Sequence, residues 1–272
     1  MKVLIIGSTG FLGSELLHLL INKNIDVQIM NRSYDDRFNG KQYLISDILN
    51  IENCFDVVCF LAAYVPLEGS EPKQDTNVNI KLASDVFMSF KNTKVIYSSS
   101  VSVYGNGGYD VFTEHEIPRP YTEYAKSKRI GEEIISECER FLILRFSSLY
   151  GSSMKHKTFI TNAIQSAISY RYINLYHPDR LQDYLYISDA AYMIYEAILS
   201  SKIGIFNAVN GTSRTNKEVV NIISTNIDDV IINDFGGQSI SFNYSRDLWN
   251  NNFSNMVTRL EDGLAMTIAA KC

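Results

Sequence analysis

The stretch that most constrains this chain comes at its start. Val3-Leu4-Ile5-Ile6 is a short apolar run, and it feeds directly into Gly7-Ser8-Thr9-Gly10-Phe11-Leu12-Gly13. Glycines at i, i+3 and i+6 between a strand-like and a helix-like segment fit one kind of turn. Gly7 permits the tight bend, Gly10 lets backbone approach a pyrophosphate, and Gly13 lets the helix lie close to a sheet. The helix N-terminus then faces the negative charge. The spacing differs from G-x-G-x-x-G, so the strand–turn–helix context carries the expectation of a dinucleotide site.

The following strand bears on cofactor choice. An acid near its end would hold the ribose 2′-hydroxyl of NAD, whereas an arginine suits the 2′-phosphate of NADP. Here the strand ends Met30-Asn31-Arg32-Ser33, with no acid. The reading favours NADP(H), with NAD as the other option.

Strand-like and helix-like stretches alternate along the first half. Val27–Met30, Gln42–Ile45, Val57–Ala62, Val95–Tyr97 and Leu142–Phe146 read as strands. Gly13–Ile21, Asn77–Phe90 and Tyr124–Cys138 read as helices. The Asn77 helix is expected to bury Val78, Leu82, Val86 and Phe90, and the Tyr124 helix Ile130, Ile134 and Ile135. Continuous apolar strands separated by helices predict a parallel sheet covered on both faces. The expected fold is α/β: a Rossmann-type, doubly wound parallel sheet over 1–151 with a small C-terminal substrate-binding region over 152–272. In that second part, helices are expected at Phe159–Ser169, Ser188–Ser200 and Lys217–Ser224, and 188–209 is a candidate to return to the main sheet. The tyrosines at 170, 172, 176, 184 and 186 are expected to form the core of the small region, with Trp249 plugging it.

Composition narrows the function classes. The net charge of −5 speaks against a nucleic-acid surface. No apolar run approaches the ~20 residues of a membrane span, and no signal peptide is read at the start, so a cytoplasmic protein is expected. Cys54, Cys59, Cys138 and Cys272 form no C-x-x-C pair and have no histidine cluster nearby. They are expected to be buried thiols in a reducing compartment, with no metal site. His18, His115, His156 and His177 are scattered, and only His177 is a candidate for ligand contact.

The chemistry is written in three residues. Tyr124 and Lys128 are four apart on one helix and so share a face. Hydride transfer to a carbonyl creates an alkoxide, which needs a proton donor and a second hydrogen-bond donor. Tyr124 is the expected proton donor, its pKa lowered by Lys128 and by an oxidised nicotinamide. Lys128 also suits the cofactor ribose, and Ser100, beyond the strand at Val95–Tyr97, suits the substrate oxygen. Tyr121 is no rival, because position 125 is Ala.

With these residues in place the chain resembles the extended short-chain dehydrogenase/reductase family, in its sugar-nucleotide epimerase/dehydratase group. The matching motifs run in order: the glycine turn, Asp47, Asp56–Ala63, Asn77-Val78, Ser98–Gly105, Tyr124–Lys128 with Glu132, Leu144–Gly151, Asp183–Asp189, Asn207 and Glu261–Leu264. The resemblance implies that Ser100, Tyr124 and Lys128 are catalytic. It implies that Asp47 and Ile48 lie near adenine and that Ala62 and Ala63 line the cofactor. The full cofactor-contacting set expected is Gly7, Thr9, Gly10, Phe11, Leu12, Gly13, Asn31, Arg32, Ser33, Asp47, Ile48, Leu61, Ala62, Ala63, Asn77, Tyr124, Lys128 and Phe146. The substrate set is Tyr64, Ser100, Ser102, Ser148 and Arg180.

Departures from the family pattern narrow the activity. Dehydratases of the group carry Asp-Glu after the catalytic hydroxyl, where this chain has Val101-Ser102. GDP-fucose synthases carry a Cys at the position of Ser102. An Asn that contacts the substrate diphosphate is replaced by Ser148, and the usual Arg before Asp183 is Gln182, with Arg180 two residues earlier as a substitute. The expected activity is NADP(H)-dependent reduction of a nucleotide-linked 4-keto-6-deoxysugar. The alternatives are a 4-epimerase with tightly held NAD, or a catalytically silent member of the fold, against which the complete triad argues. The resemblance also implies a homodimer built on the Asn77 and Tyr124 helices.

Overall fold

Seven parallel strands form the central sheet of the computed structural model, which describes residues 1–65, 77–106 and 110–271. Cys272 lies outside the described residues. The strands are β1 (Lys2–Ile6), β2 (Asp26–Asn31), β3 (Gln42–Leu44), β4 (Val57–Phe60), β5 (Lys94–Ser100), β6 (Arg140–Phe146) and, after a smaller lobe has begun, β11 (Gly204–Ala208). Their order across the sheet is β11-β6-β5-β4-β1-β2-β3. This is a Rossmann-like α/β fold, as the sequence predicts.

Alternation along β1 assigns the two faces. Val3 and Ile5 point to one side, with α1 (Phe11–Asn22), α5 (Ile187–Leu199) and α7 (Asp247–Asn250). Leu4 and Ile6 point to the other, with α2 (Asn77–Phe90) and α3 (Glu123–Ile135). A strand buried on both faces cannot alternate with polar residues, which explains the unbroken apolar runs.

Two helix ends are closed in different ways. The last turn of α5 has no basic residue, yet Lys94 Nζ, from β5, donates to the carbonyls of Ala197 and Ser200. A buried cation thereby satisfies carbonyls that the helix leaves open. At the start of α3, Thr122 Oγ1 accepts from Ala125 N at 3.1 Å.

The smaller lobe is made of α4 (Phe159–Tyr170), α6 (Asn216–Thr225) and α8 (Leu260–Ala269) with short strand pairs. β7 (Ser148–Tyr150) pairs with β10 (Tyr184–Tyr186), and β8 (Tyr172–Leu175) pairs with β13 (Ile231–Asp234). β9 (Leu181–Gln182) runs antiparallel to β12 (Arg214–Thr215). Tyr184 and Tyr186 do join the lobe's core, but Tyr170, Tyr172 and Tyr176 are exposed. Alternation along β8 turns Ile173 and Leu175 inward and so turns Tyr172 out. Trp249 does not plug this lobe. It stacks on Phe253 at 4.2 Å and meets Phe206 of β11 edge-on, within the core of the main sheet. Cys59 and Cys138 are buried, whereas Cys54 is exposed, because it lies in the loop before β4 rather than in the strand.

Candidate active site

The glycine turn closes as its spacing requires. Gly7 takes a left-handed φ of 96°, and a Cβ there would stand 2.6 Å from the backbone of Ala62. A Cβ on Gly13 would lie 2.1 Å from Gly7 O, so only glycine lets α1 approach β1. Gly10 is less demanding, its Cβ position being 3.3 Å from Gly7 O. Gly10 begins α1 with no side-chain cap, which leaves the dipole and the first amides of a 12-residue helix open toward the turn. Thr9 is exposed at this turn, whereas Phe11 and Leu12 are half-buried and Leu12 packs against the core on the α1 side of the sheet.

Asn31, at the end of β2, is buried, and its Nδ2 donates to Ser8 Oγ at 2.9 Å. Its Oδ1 is buried with no partner among the described residues. The cradle that a Cβ would fill, the open helix end and this orphan acceptor together fit a bound dinucleotide. Arg32 and Ser33 are exposed just beyond. The next acid, Asp35, is held by Arg37 Nε and Nη2 at 2.8 Å each. Asp47 is exposed and Ile48 buried in the 3₁₀ turn at Ile45–Asn50. Leu61, Ala62, Ala63 and Tyr64 form the loop after β4, at the same end of the sheet; Leu61 N and Ala62 N both donate to Ile6 O at 2.9 Å.

The three catalytic candidates lie on β5 and α3. β5 extends to Ser100, beyond the stretch predicted for it. Ser100 Oγ accepts from Ser102 N at 3.2 Å, which leaves the Ser100 hydroxyl proton to donate outward. Ser102 Oγ is buried without a partner among the described residues. Lys128 Nζ donates to Ser98 O at 2.6 Å and lies 4.8 Å from the ring centroid of Tyr97 and 5.9 Å from that of Tyr124. Helical spacing thus puts lysine and tyrosine on one face, as predicted.

The electrostatics differ from the expectation. Tyr124 is only half-buried by surface, yet the protein packed around its hydroxyl pushes the phenol up to about 12 rather than down. Burial pushes Lys128 down to about 7, with Glu132 pulling it back toward the charged form. In the protein alone, desolvation dominates both groups.

This shift has a sign that can be tested. Between about pH 7 and the ordinary lysine range the unfolded chain carries a proton that the folded chain has lost. Folding stability therefore rises with pH through that window, by up to about 1.4 kcal/mol per pH unit from this group. Lys128→Met should flatten that slope, as read from denaturation midpoints between about pH 7 and pH 10. An identical slope in the variant would show that Lys128 does not titrate there.

Behind the lysine lies a buried ionic network. Glu132 accepts from Ser99 Oγ at 2.6 Å, from Arg145 Nε at 2.9 Å and from Arg145 Nη2 at 2.8 Å. Arg145 Cζ stands 4.8 Å over the ring of Tyr104, whose hydroxyl donates to Asn207 Oδ1 at 2.6 Å. Asn207 Nδ2 donates to the carbonyls of Phe112 and Ser245, drawing these two segments together. Phe146 ends β6 beside Ser100, with which it pairs in register.

On the lobe side the predicted substrate residues are less united. Ser148 is exposed on β7. The Gln182 side chain lies between Arg180 and Tyr184; with its oxygen toward Arg180 it accepts from Nη2 at 2.9 Å and Nε at 3.0 Å. Arg180 is therefore oriented by Gln182. Asp183 accepts from Ser147 Oγ at 2.5 Å, Asn210 N at 2.9 Å and Gly211 N at 2.7 Å, which ties β7 to the loop after β11.

One buried polar residue beside the candidate site, Asn79, escaped the sequence reading. α2 buries Asn79, Ala83, Val86 and Phe90, not a face begun by Val78, which is 52% exposed. An asparagine at the head of an apolar helical stripe is the signal that was there to be read.

Fold and site define an NAD(P)-dependent enzyme of the extended short-chain dehydrogenase/reductase group. Residues 3–210 match the model of the NAD dependent epimerase/dehydratase family, and the chain belongs to that family. The UDP-glucose 4-epimerase of Lactobacillus helveticus is 28% identical over 201 residues, 62% of this chain and 61% of that protein. The GDP-6-deoxy-D-talose 4-dehydrogenase of Aggregatibacter actinomycetemcomitans is 21% identical over 207 residues, 73% of this chain and 70% of that protein. Among solved structures, the Thermus thermophilus UDP-glucose 4-epimerase complex with NAD superposes with a TM-score of 0.82 at 20% identity, over 99% of this chain and 98% of that one.

Proposed function

We propose that this protein reduces the 4-keto group of a nucleotide-linked 6-deoxysugar with NADPH. The observation that carries the reading is the end of β2, where Asn31 is buried against Ser8 and Arg32 stands exposed, so no carboxylate is offered to a ribose 2′-hydroxyl. Val101-Ser102 in place of an acidic pair removes the groups that would eliminate water. One relative is named for dehydrogenation at sugar position 4, the reverse of such a reduction.

A bound nicotinamide would supply the hydride. The chain's own residues do the rest: Tyr124 Oη gives a proton to the sugar oxygen, Ser100 Oγ donates a hydrogen bond to it, and Lys128 stabilises the tyrosinate left behind. Gly7–Gly13 and the start of α1 hold the pyrophosphate. Arg32, and Ser33 beside it, hold the 2′-phosphate.

A second reading is a 4-epimerase with retained NAD, favoured by the relatives named as 4-epimerases and by the NAD in the T. thermophilus complex. One experiment separates the two. The reductase binds NADPH more tightly than NADH, loses that preference in Arg32→Ala, and consumes NADPH stoichiometrically with a dTDP-4-keto-6-deoxysugar. Equal affinities, or protein purified with bound NAD that interconverts UDP-glucose and UDP-galactose without net oxidation, would replace the first reading by the second.

A further inference from the structure

Asn79 sits in the first turn of α2 and is only 5% exposed. Both ends of its amide are used. Oδ1 accepts from Tyr64 N at 2.7 Å, and Nδ2 donates to Tyr64 O at 3.0 Å. This two-point contact holds the backbone of the loop after β4 much as a neighbouring strand would. Nδ2 also donates to Ser127 Oγ at 3.2 Å, and Ser127 Oγ donates in turn to Tyr124 O at 2.8 Å. Ser127 is buried too. One asparagine thus joins the cofactor-side loop to the backbone of the proton donor.

The chemistry of each position is demanding. Asn79 must present an acceptor and two donor hydrogens from one plane, which Asp and Leu cannot do. Ser127 must accept from one neighbour and donate to another, which only a hydroxyl does here. Nothing in the packing of α2 requires an amide at a position whose stripe continues through Ala83, Val86 and Phe90. A buried amide kept in such a stripe costs desolvation that its hydrogen bonds must offset.

We propose that Asn79 is a positioning residue that, through Ser127, locks Tyr124 and the Leu61–Tyr64 loop into one frame. The inference rests on Tyr124 being the proton donor. Hydride acceptor and proton donor must stay aligned to within a fraction of an ångström, and misplacement by about 1 Å costs about 10² in rate. The clamp supplies that alignment across two elements that the sheet does not otherwise connect directly: a loop after β4 and the first turn of α3.

The test uses the full chain with four variants: Asn79→Leu, Ser127→Ala, the two combined, and Tyr124→Phe. Cofactor Kd is read from nicotinamide fluorescence with NADPH and NADH, and kcat from NADPH oxidation with a dTDP-4-keto-6-deoxysugar and from UDP-glucose epimerisation. Ser127→Ala should lower kcat about tenfold and leave the cofactor Kd unchanged, because the Tyr64 clamp survives. Asn79→Leu should lower kcat by about 10² and also weaken cofactor binding severalfold. The double variant should be no slower than Asn79→Leu, as one chain of bonds is broken only once. A merely structural role would lower melting temperature without this split between kcat and Kd. Wild-type kcat and Kd in folded Asn79→Leu overturn the proposal. If Asn79→Leu does not fold, unchanged kcat in Ser127→Ala overturns it instead. Tyr124→Phe reports on the underlying reading. If it stays fully active, Tyr124 is not the donor and the proposal falls with it. If it is inactive while the other two behave as wild type, the proposal alone fails.

Discussion

Tyr124→Phe is expected to lower kcat by about 10²–10⁴, the range for removing a general acid, while folding and cofactor affinity stay nearly unchanged. The substitution deletes the transferable proton and keeps the ring that Lys128 faces at 5.9 Å. Lys128→Met should instead damage both rate and cofactor affinity, because the amine is proposed to serve both the tyrosine and the ribose. Ser100→Ala should slow turnover with little effect on binding. The other tyrosine of the motif is no competitor: Tyr104 is buried, with its hydroxyl committed to Asn207 at 2.6 Å and its ring under Arg145. Full activity in Tyr124→Phe with loss of activity in Tyr104→Phe would reverse this assignment. Because burial holds Tyr124 up to about 12 in the protein alone, its acidity must be set in the assembled complex. A basic limb near pH 12 in the kcat profile would mean that substrate and cofactor do not retune it.

The second large effect concerns stability. Glu132→Ala should destabilise the fold by about 3–5 kcal/mol, because it strands the Arg145 guanidinium in a site from which both partners are almost wholly excluded from water. Glu132→Leu combined with Arg145→Leu should recover most of that loss, since the desolvation cost of both charges disappears together. Urea unfolding reads both, through the midpoint at constant m-value. If the double variant is as unstable as the single one, the pair is held by more than charge compensation, and the stacking of Arg145 on Tyr104 becomes the leading cause.

The sequence disclosed the fold where one rule governed each segment. Apolar runs of β1, β4 and β6 are readable because strands covered on both faces tolerate nothing else, and the glycine turn is readable because a Cβ at 7 or 13 meets backbone. The candidate site could be proposed from the sequence as a set of residues, but not as an arrangement. Periodicity put Ile130 on the buried face of α3, but Lys128, Gly131 and Glu132 occupy it, because a buried ion pair and a buried lysine override apolar patterning. Asn79 was lost for the same reason, its role lying in contacts with residues 15 and 48 positions away. The depressed Lys128 and raised Tyr124 were beyond reach, since desolvation depends on everything packed around a group and not on its spacing from one partner.

The return of β11 to pair with β6 has a consequence for modularity. The chain leaves the sheet after Phe146, builds part of the lobe, comes back through α5 and β11, and leaves again toward α6. Ile205 and Phe206 complete opposite faces of the main core, and the sole tryptophan of the sequence docks on Phe206 from a segment further still along the chain. A fragment ended after β6 would present a naked parallel edge and a core lacking α5. The lobe is therefore not a detachable cassette: exchanging it for another to change substrate would require carrying one strand and one helix of the cofactor-side sheet along with it.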